Sequence, residues 1–79
     1  MTLEKELTDE TLKWLKKIED KLRNLKASDD DYLKNIRAYI LDSKYFLERK
    51  DLIRAFECVV WAWAWLEIGE IEGKLKFLE

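Results

Sequence analysis

The sequence has no proline, no histidine and no glutamine, two glycines (Gly69 and Gly73) and one cysteine, Cys58. Each absence excludes something. Sheets built from hairpins need turn residues between their strands, so a chain this poor in proline and glycine is badly equipped for a β fold. Without histidine, and with one thiol, no ligand set for zinc or most transition metals exists. One cysteine makes no intrachain disulfide, so no oxidising compartment is required. Missing too is an excess of either charge: 15 basic side chains face 17 acidic ones, for a net charge of −2. A chain that grips phosphates normally shows a basic surplus, so no nucleic-acid partner is expected. The longest apolar run, Cys58 to Leu66, is far short of the ~20 residues that span a membrane. The start of the chain, Met1 to Glu6, lacks the apolar core of a signal peptide. A cytoplasmic protein without a membrane partner is the expectation.

Hydrophobic residues make up 48% of the chain, which excludes a disordered polymer even with 41% charged residues. Seventy-nine residues allow one domain, over 1–79. Abundant Lys, Arg, Glu and Asp with no glutamine and two asparagines is the bias of a thermophile, in which ion pairs cost less and labile amides are avoided.

Three segments carry helical periodicity. Leu15, Ile18, Leu22 and Leu25 fall three and four apart, with Trp14 beside them, and predict a first helix over residues 3–27. Its cap is Thr8 or Asp9, or Thr2 if Leu3 and Leu7 belong to it. Ser28 reads as the cap of a second helix over 29–48, with Asp29, Asp30 and Asp31 complementing its dipole. Leu33, Ile36, Ile40, Ser43 and Leu47 form its buried stripe. Asp51 reads as the cap of a third helix over 52–72 or beyond, with Leu52, Phe56, Val59, Trp63 and Leu66 inward. Short links make consecutive helices antiparallel, so the expected fold is an all-α antiparallel three-helix bundle.

The run Trp61-Ala62-Trp63-Ala64-Trp65 would present all three tryptophans on one face of a strand. Its flanks favour helix, and at about 100° per residue the run then splits. Trp63 joins the inward stripe, while Trp61 and Trp65, with Cys58 and Ile68, fall on the far side. Large aromatic groups facing outward mark interfaces. The alternative is that Leu3 to Leu7 or Leu75 to Leu78 fold across them.

Other candidates reduce to structure. Cys58, with no histidine to act as base, reads as a packing residue rather than a nucleophile. Asp29 to Asp31 lack the spaced oxygens, glycine and closing glutamate of a calcium loop, and read as helix capping. Glu67 and Glu70, three apart, read as a solvated helical face. Gly69, Gly73, Ala55 and Ala62 lie close on a helical projection and allow another helix to approach. No catalytic residue, metal site or cofactor is expected.

From Tyr39 to Gly69 the chain resembles the archaeal family known as domain of unknown function 357. Tyr39, Asp42, Phe46, Asp51, Ala55 and the stretch Trp61 to Glu67 carry the resemblance, the last resembling an aromatic-Ala-x-small-x-Leu-acid motif. Lys50 stands where a glycine is expected in the turn, and Glu67 where an aspartate is usual. The resemblance implies a short helical bundle and no activity. A looser similarity to HEPN-type helical domains brings no ribonuclease, because Arg54 has no histidine partner. The expected function is thus a non-catalytic helical interaction module. It would self-associate or dock a protein partner through Cys58, Trp61, Trp65 and Ile68. The alternative is a small-ligand or nucleotide-related accessory domain with Tyr39, Asp42, Tyr45 and the tryptophans lining a groove.

Overall fold

The computed structural model describes residues 2–78. Helix α1 spans Leu3–Leu22, strand β1 Leu25–Ser28, helix α2 Asp30–Glu48, helix α3 Leu52–Ile71 and strand β2 Leu75–Phe77. The three-helix architecture is as the periodicity predicts, and residues 59–66 are helical. The helices run up, down and up. Trp14 and Lys21 of α1 meet Trp63 and Glu70 of α3 in the same order along both helices. Tyr32, Tyr39 and Ser43 of α2 meet Trp65, Trp61 and Ala55 of α3 in reverse order.

The helix starts are set by side chains that accept from free backbone N–H groups. Thr2 Oγ1 accepts from Lys5 N at 3.1 Å, so α1 begins at the earlier of the sites the sequence offers, not at Thr8 or Asp9. Asp29, not Ser28, caps α2, its Oδ1 accepting from Asp31 N at 3.0 Å. Asp51 Oδ1 accepts from Arg54 N at 3.3 Å and opens α3.

Both later helices end in the same paired hydrogen-bond closure. Asp51 N donates to Phe46 O and Lys50 N to Leu47 O; Lys74 N donates to Gly69 O and Gly73 N to Glu70 O. That Schellman arrangement needs a left-handed residue, supplied by Gly73 at φ 73° and by Lys50 at φ 60°. The position where the family resemblance expects glycine is thus a left-handed one.

One helix end differs from the sequence reading. The first helix stops at Leu22, not at 27, whereas the third ends at Ile71, within a residue of the expected 72, before a reversal at Gly73. Residues 25–28 and 75–77 pair as a short antiparallel ribbon, Leu25 with Phe77 and Ser28 with Leu75, with an irregularity before Ala27. Leu25 packs half-buried against the core from the ribbon, so its spacing from Leu22 marked an inward residue without marking a helix. Leu75 from the tail is buried in the main core with Leu15, Ile18, Ile36, Ile40, Val59, Ala62 and Leu66.

The inward stripe of α3 is also rotated from the expected one. Ala55, Val59, Ala62, Leu66 and Gly69 are its buried residues, while Phe56 and Trp63 are half-buried toward α1. Small residues win the centre because α2 packs closest there: Ser43 Oγ donates to Ala55 O at 2.7 Å. A Cβ on Gly69 would lie 2.7 Å from Leu75 Cδ1. These small residues therefore serve contacts within the domain. Among the described residues no buried polar side-chain atom lacks a partner.

Candidate functional site

Helix α3 has almost no polar face. Between Leu52 and Ile71 its charged residues are Arg54, Glu57, Glu67 and Glu70, and none falls from Cys58 to Leu66. A helix apolar all round is ordinarily enclosed, yet among the described residues α3 is covered by α1, α2 and, near its end, Leu75 of β2, which leaves one side open. The remaining side carries exposed Ile53, Val60, Trp61, Ile68 and Ile71, with Trp61 54% exposed.

The four residues singled out in the sequence divide across this surface. Trp61 and Ile68 lie on it. Trp61 stacks on Tyr39 of α2 at 6.4 Å between ring centroids and 19° between planes, which holds the indole flat against the α2–α3 seam. Trp65 is half-buried, edge-on to Tyr32 at 5.6 Å, and Cys58 is half-buried. Both line the α2 edge of the surface. The Cys58 thiol is pushed above its ordinary value by burial first, then by the carboxylates of Asp42 and Glu57. A raised pKa leaves less thiolate, the opposite of what a nucleophilic cysteine needs.

Among the described residues neither Leu3 to Leu7 nor Leu75 to Leu78 covers Trp61, which stays exposed. The tail instead closes the far end of the bundle, where Leu75 packs on Gly69 and Lys21 Nζ lies 5.0 Å from the Phe77 ring centre. Val60, Ile53 and Ile71 escaped the sequence reading. Their signal was the missing polar face of the third helix, which a search for one inward stripe passes over.

Trp63 sits at the rim of the core. Its Nε1–H donates to Trp14 O at 3.1 Å and its ring meets Trp14 edge-on at 5.8 Å. Beside this pair runs a groove of about 460 Å³ lined by Trp14, Phe56, Val59, Val60, Trp63, Ala64 and Glu67. The tyrosines expected in a common groove separate: Tyr39 lies under Trp61, whereas Tyr45 packs on Phe46 with the Arg49 guanidinium 4.5 Å from its ring centre. Glu67 and Glu70 diverge as well, Glu70 pairing with Lys21 at 3.0 Å. Arg54 pairs with Asp51 at 2.8 Å. Among the described residues no three acidic or cysteine side chains gather as a metal site. No helix there is long and apolar enough to cross a membrane.

Comparison with known proteins places this geometry in a family. No curated protein matches the chain. The crystal structure of protein AF1782 from Archaeoglobus fulgidus, itself assigned to DUF357, superposes with a TM-score of 0.91. It is 58% identical, over 98% of this chain and 100% of that one. The family model described as protein of unknown function (DUF357) matches residues 5–75. The Schellman turn at Lys50, the caps and the aromatic third helix are thus features of a member of that archaeal family: the chain belongs to DUF357.

Proposed function

We propose that this chain is a non-catalytic protein-interaction module whose working surface is the outward side of α3. One observation carries the reading: Ile53, Val60, Trp61, Ile68 and Ile71 stand exposed along a single helix, with Cys58 and Trp65 at its edge. Isolated exposed apolar residues are ordinary, but five large ones along one helix, interrupted on that face by Glu57, cost solubility and are kept where a partner covers them. Trp61, stacked on Tyr39, is held in place before any partner arrives, which lowers the ordering cost of binding.

A photoreactive amino acid placed at Trp61 tests this, with Lys26 on β1 as the control position. Crosslinking is run on purified protein and in extract of the source cells. Adducts from position 61 and none from position 26 are expected. Silence from position 61 in both settings would overturn the proposal.

A second reading, a small-ligand accessory domain, is supported by the groove beside Trp14 and Trp63, apolar except for Glu67. A thermal-shift screen with nucleotides and small aromatic cations addresses it. Stabilisation that is lost in Glu67→Gln supports this reading, and no shift at millimolar ligand removes it.

A further inference from the structure

We infer, resting on the interaction reading above, that the open side of α3 receives an amphipathic helix of a different protein, with basic residues flanking its apolar stripe. Ile53, Glu57, Val60, Ala64, Glu67 and Ile71 are spaced four, three, four, three and four, one row along α3. All are exposed except Ala64, which is half-buried. The row lies clear of the contacts that α2 makes with Ala55, Trp61 and Trp65 and that α1 makes with Trp63 and Glu70.

The shape of the row favours a helix as its occupant. Ala64 is small and lets a second helix come close. The groove of about 460 Å³ beside Trp14 and Trp63 runs along the α1 side of Val60, Ala64 and Glu67 and can take a large apolar side chain from that helix. An extended segment fits this surface poorly. The backbone groups of α3 are bonded within the helix, and the row offers two carboxylates and no donor, so the peptide groups of a strand would be buried without partners. From Ile53 to Ile71 the row runs about 27 Å, about five turns of a facing helix.

Charge then selects the partner. Glu57 and Glu67 are the charged residues of the row, and among the described residues neither forms an ion pair. Cations at its borders are engaged: Arg54 with Asp51, Lys13 with Glu10 and Lys21 with Glu70, while Lys17 lies 4.6 Å from the Trp14 ring centre. Asp42 of α2 adds a carboxylate at the other border, where it and Glu57 both act on the Cys58 thiol. A helix with Lys or Arg beside its apolar stripe answers two carboxylates about 15 Å apart. A second copy does not. Ile53 and Ile71, Glu57 and Glu67, and Val60 and Ala64 are each equidistant from Ala62. Full overlap with another α3 therefore sets glutamate on glutamate in either direction. An anionic membrane surface is repelled by the same two groups.

Calorimetric titration of the full chain with three probe peptides of about 18 residues tests this. One carries leucines at four-three spacing and lysines on its other positions, one has glutamates in place of the lysines, and one is the lysine peptide scrambled. The lysine peptide is expected to bind at least tenfold more tightly than the other two. Glu57→Gln and Glu67→Gln should each weaken it by about two- to fivefold, and Glu48→Gln, an exposed acid between α1 and α2, should not. Glu57→Lys combined with Glu67→Lys should transfer the preference to the glutamate peptide, with circular dichroism confirming helix content. Equal binding of the lysine peptide and its scramble, or an equal loss in Glu48→Gln, would reduce the effect to general attraction and overturn the inference. No binding of the lysine peptide at millimolar concentration overturns it too. A protein adduct at position 61 would in that case leave the interaction reading standing, and a dimer in sedimentation would make the second copy the occupant.

Discussion

Lys50 closes α2 in a left-handed conformation that its Cβ resists, at a cost of about 1–2 kcal/mol. Glycine would relieve that strain but lose more entropy on folding, by about 0.5–1 kcal/mol. Lys50→Gly is therefore expected to stabilise the domain by about 0.5–1 kcal/mol, read as a shift in urea midpoint with an unchanged slope. Equal or lower stability would show that the lysine repays its backbone strain elsewhere. Cys58 offers a second test at this scale. Its folded-state pKa is raised, so at neutral pH the thiolate fraction is lower than in a free cysteine. Alkylation by iodoacetamide should be slower than for the unfolded chain and should keep accelerating above the pH where a free thiol levels off. Removing one of the raising charges in Asp42→Asn should lower the pKa and speed the reaction near pH 8. A rate unchanged by that substitution would leave burial and Glu57 as the causes.

At the scale of elements, the helices were legible because each carries a four-three pattern and an acidic or hydroxyl cap at its start. Asp51 and Thr2 were readable as such; Ser28 and Asp29 compete as neighbouring caps, and the chain uses Asp29. The ribbon was not legible. Four residues and three residues, separated by α2 and α3, pair only because Gly73 turns the chain back and Leu75 drops against Gly69. No local pattern announces a contact of that separation. The rotation of α3 was hidden for a related reason. A search for large apolar residues chooses Phe56 and Trp63, whereas close approach of α2 selects Ala55 and Ala62 for the centre, and Leu75 with Tyr32 selects Gly69. Leu75→Ala is expected to cost about 2–4 kcal/mol through the cavity it leaves. In hydrogen exchange the Asp29 and Leu78 amides, which bond to Lys74 O and Asn24 O across the ribbon, should lose protection first. Simultaneous loss at Val59 and Ala62 would show the ribbon and bundle to be one cooperative unit.

Across the whole molecule, a chain of 79 residues has little interior, and eight of the described residues form its main core cluster. Exposed Val60 and buried Val59 are adjacent in sequence and lie on opposite sides of that economy. Val59→Ala should destabilise the isolated domain by about 2 kcal/mol, from lost burial and the resulting void. Val60→Ser and Ile68→Ser should leave it nearly unchanged at low protein concentration. If the α3 surface holds a basic helix, the free chain is in equilibrium with a more stable complex. The wild-type Tm must then rise with the concentration of the lysine peptide by mass action. The two serine variants should flatten that dependence while keeping the peptide-free Tm, and Val59→Ala should shift the whole curve down with its slope retained. A wild-type Tm independent of peptide concentration over two decades would show that the exposed row along α3 does not hold a basic helix.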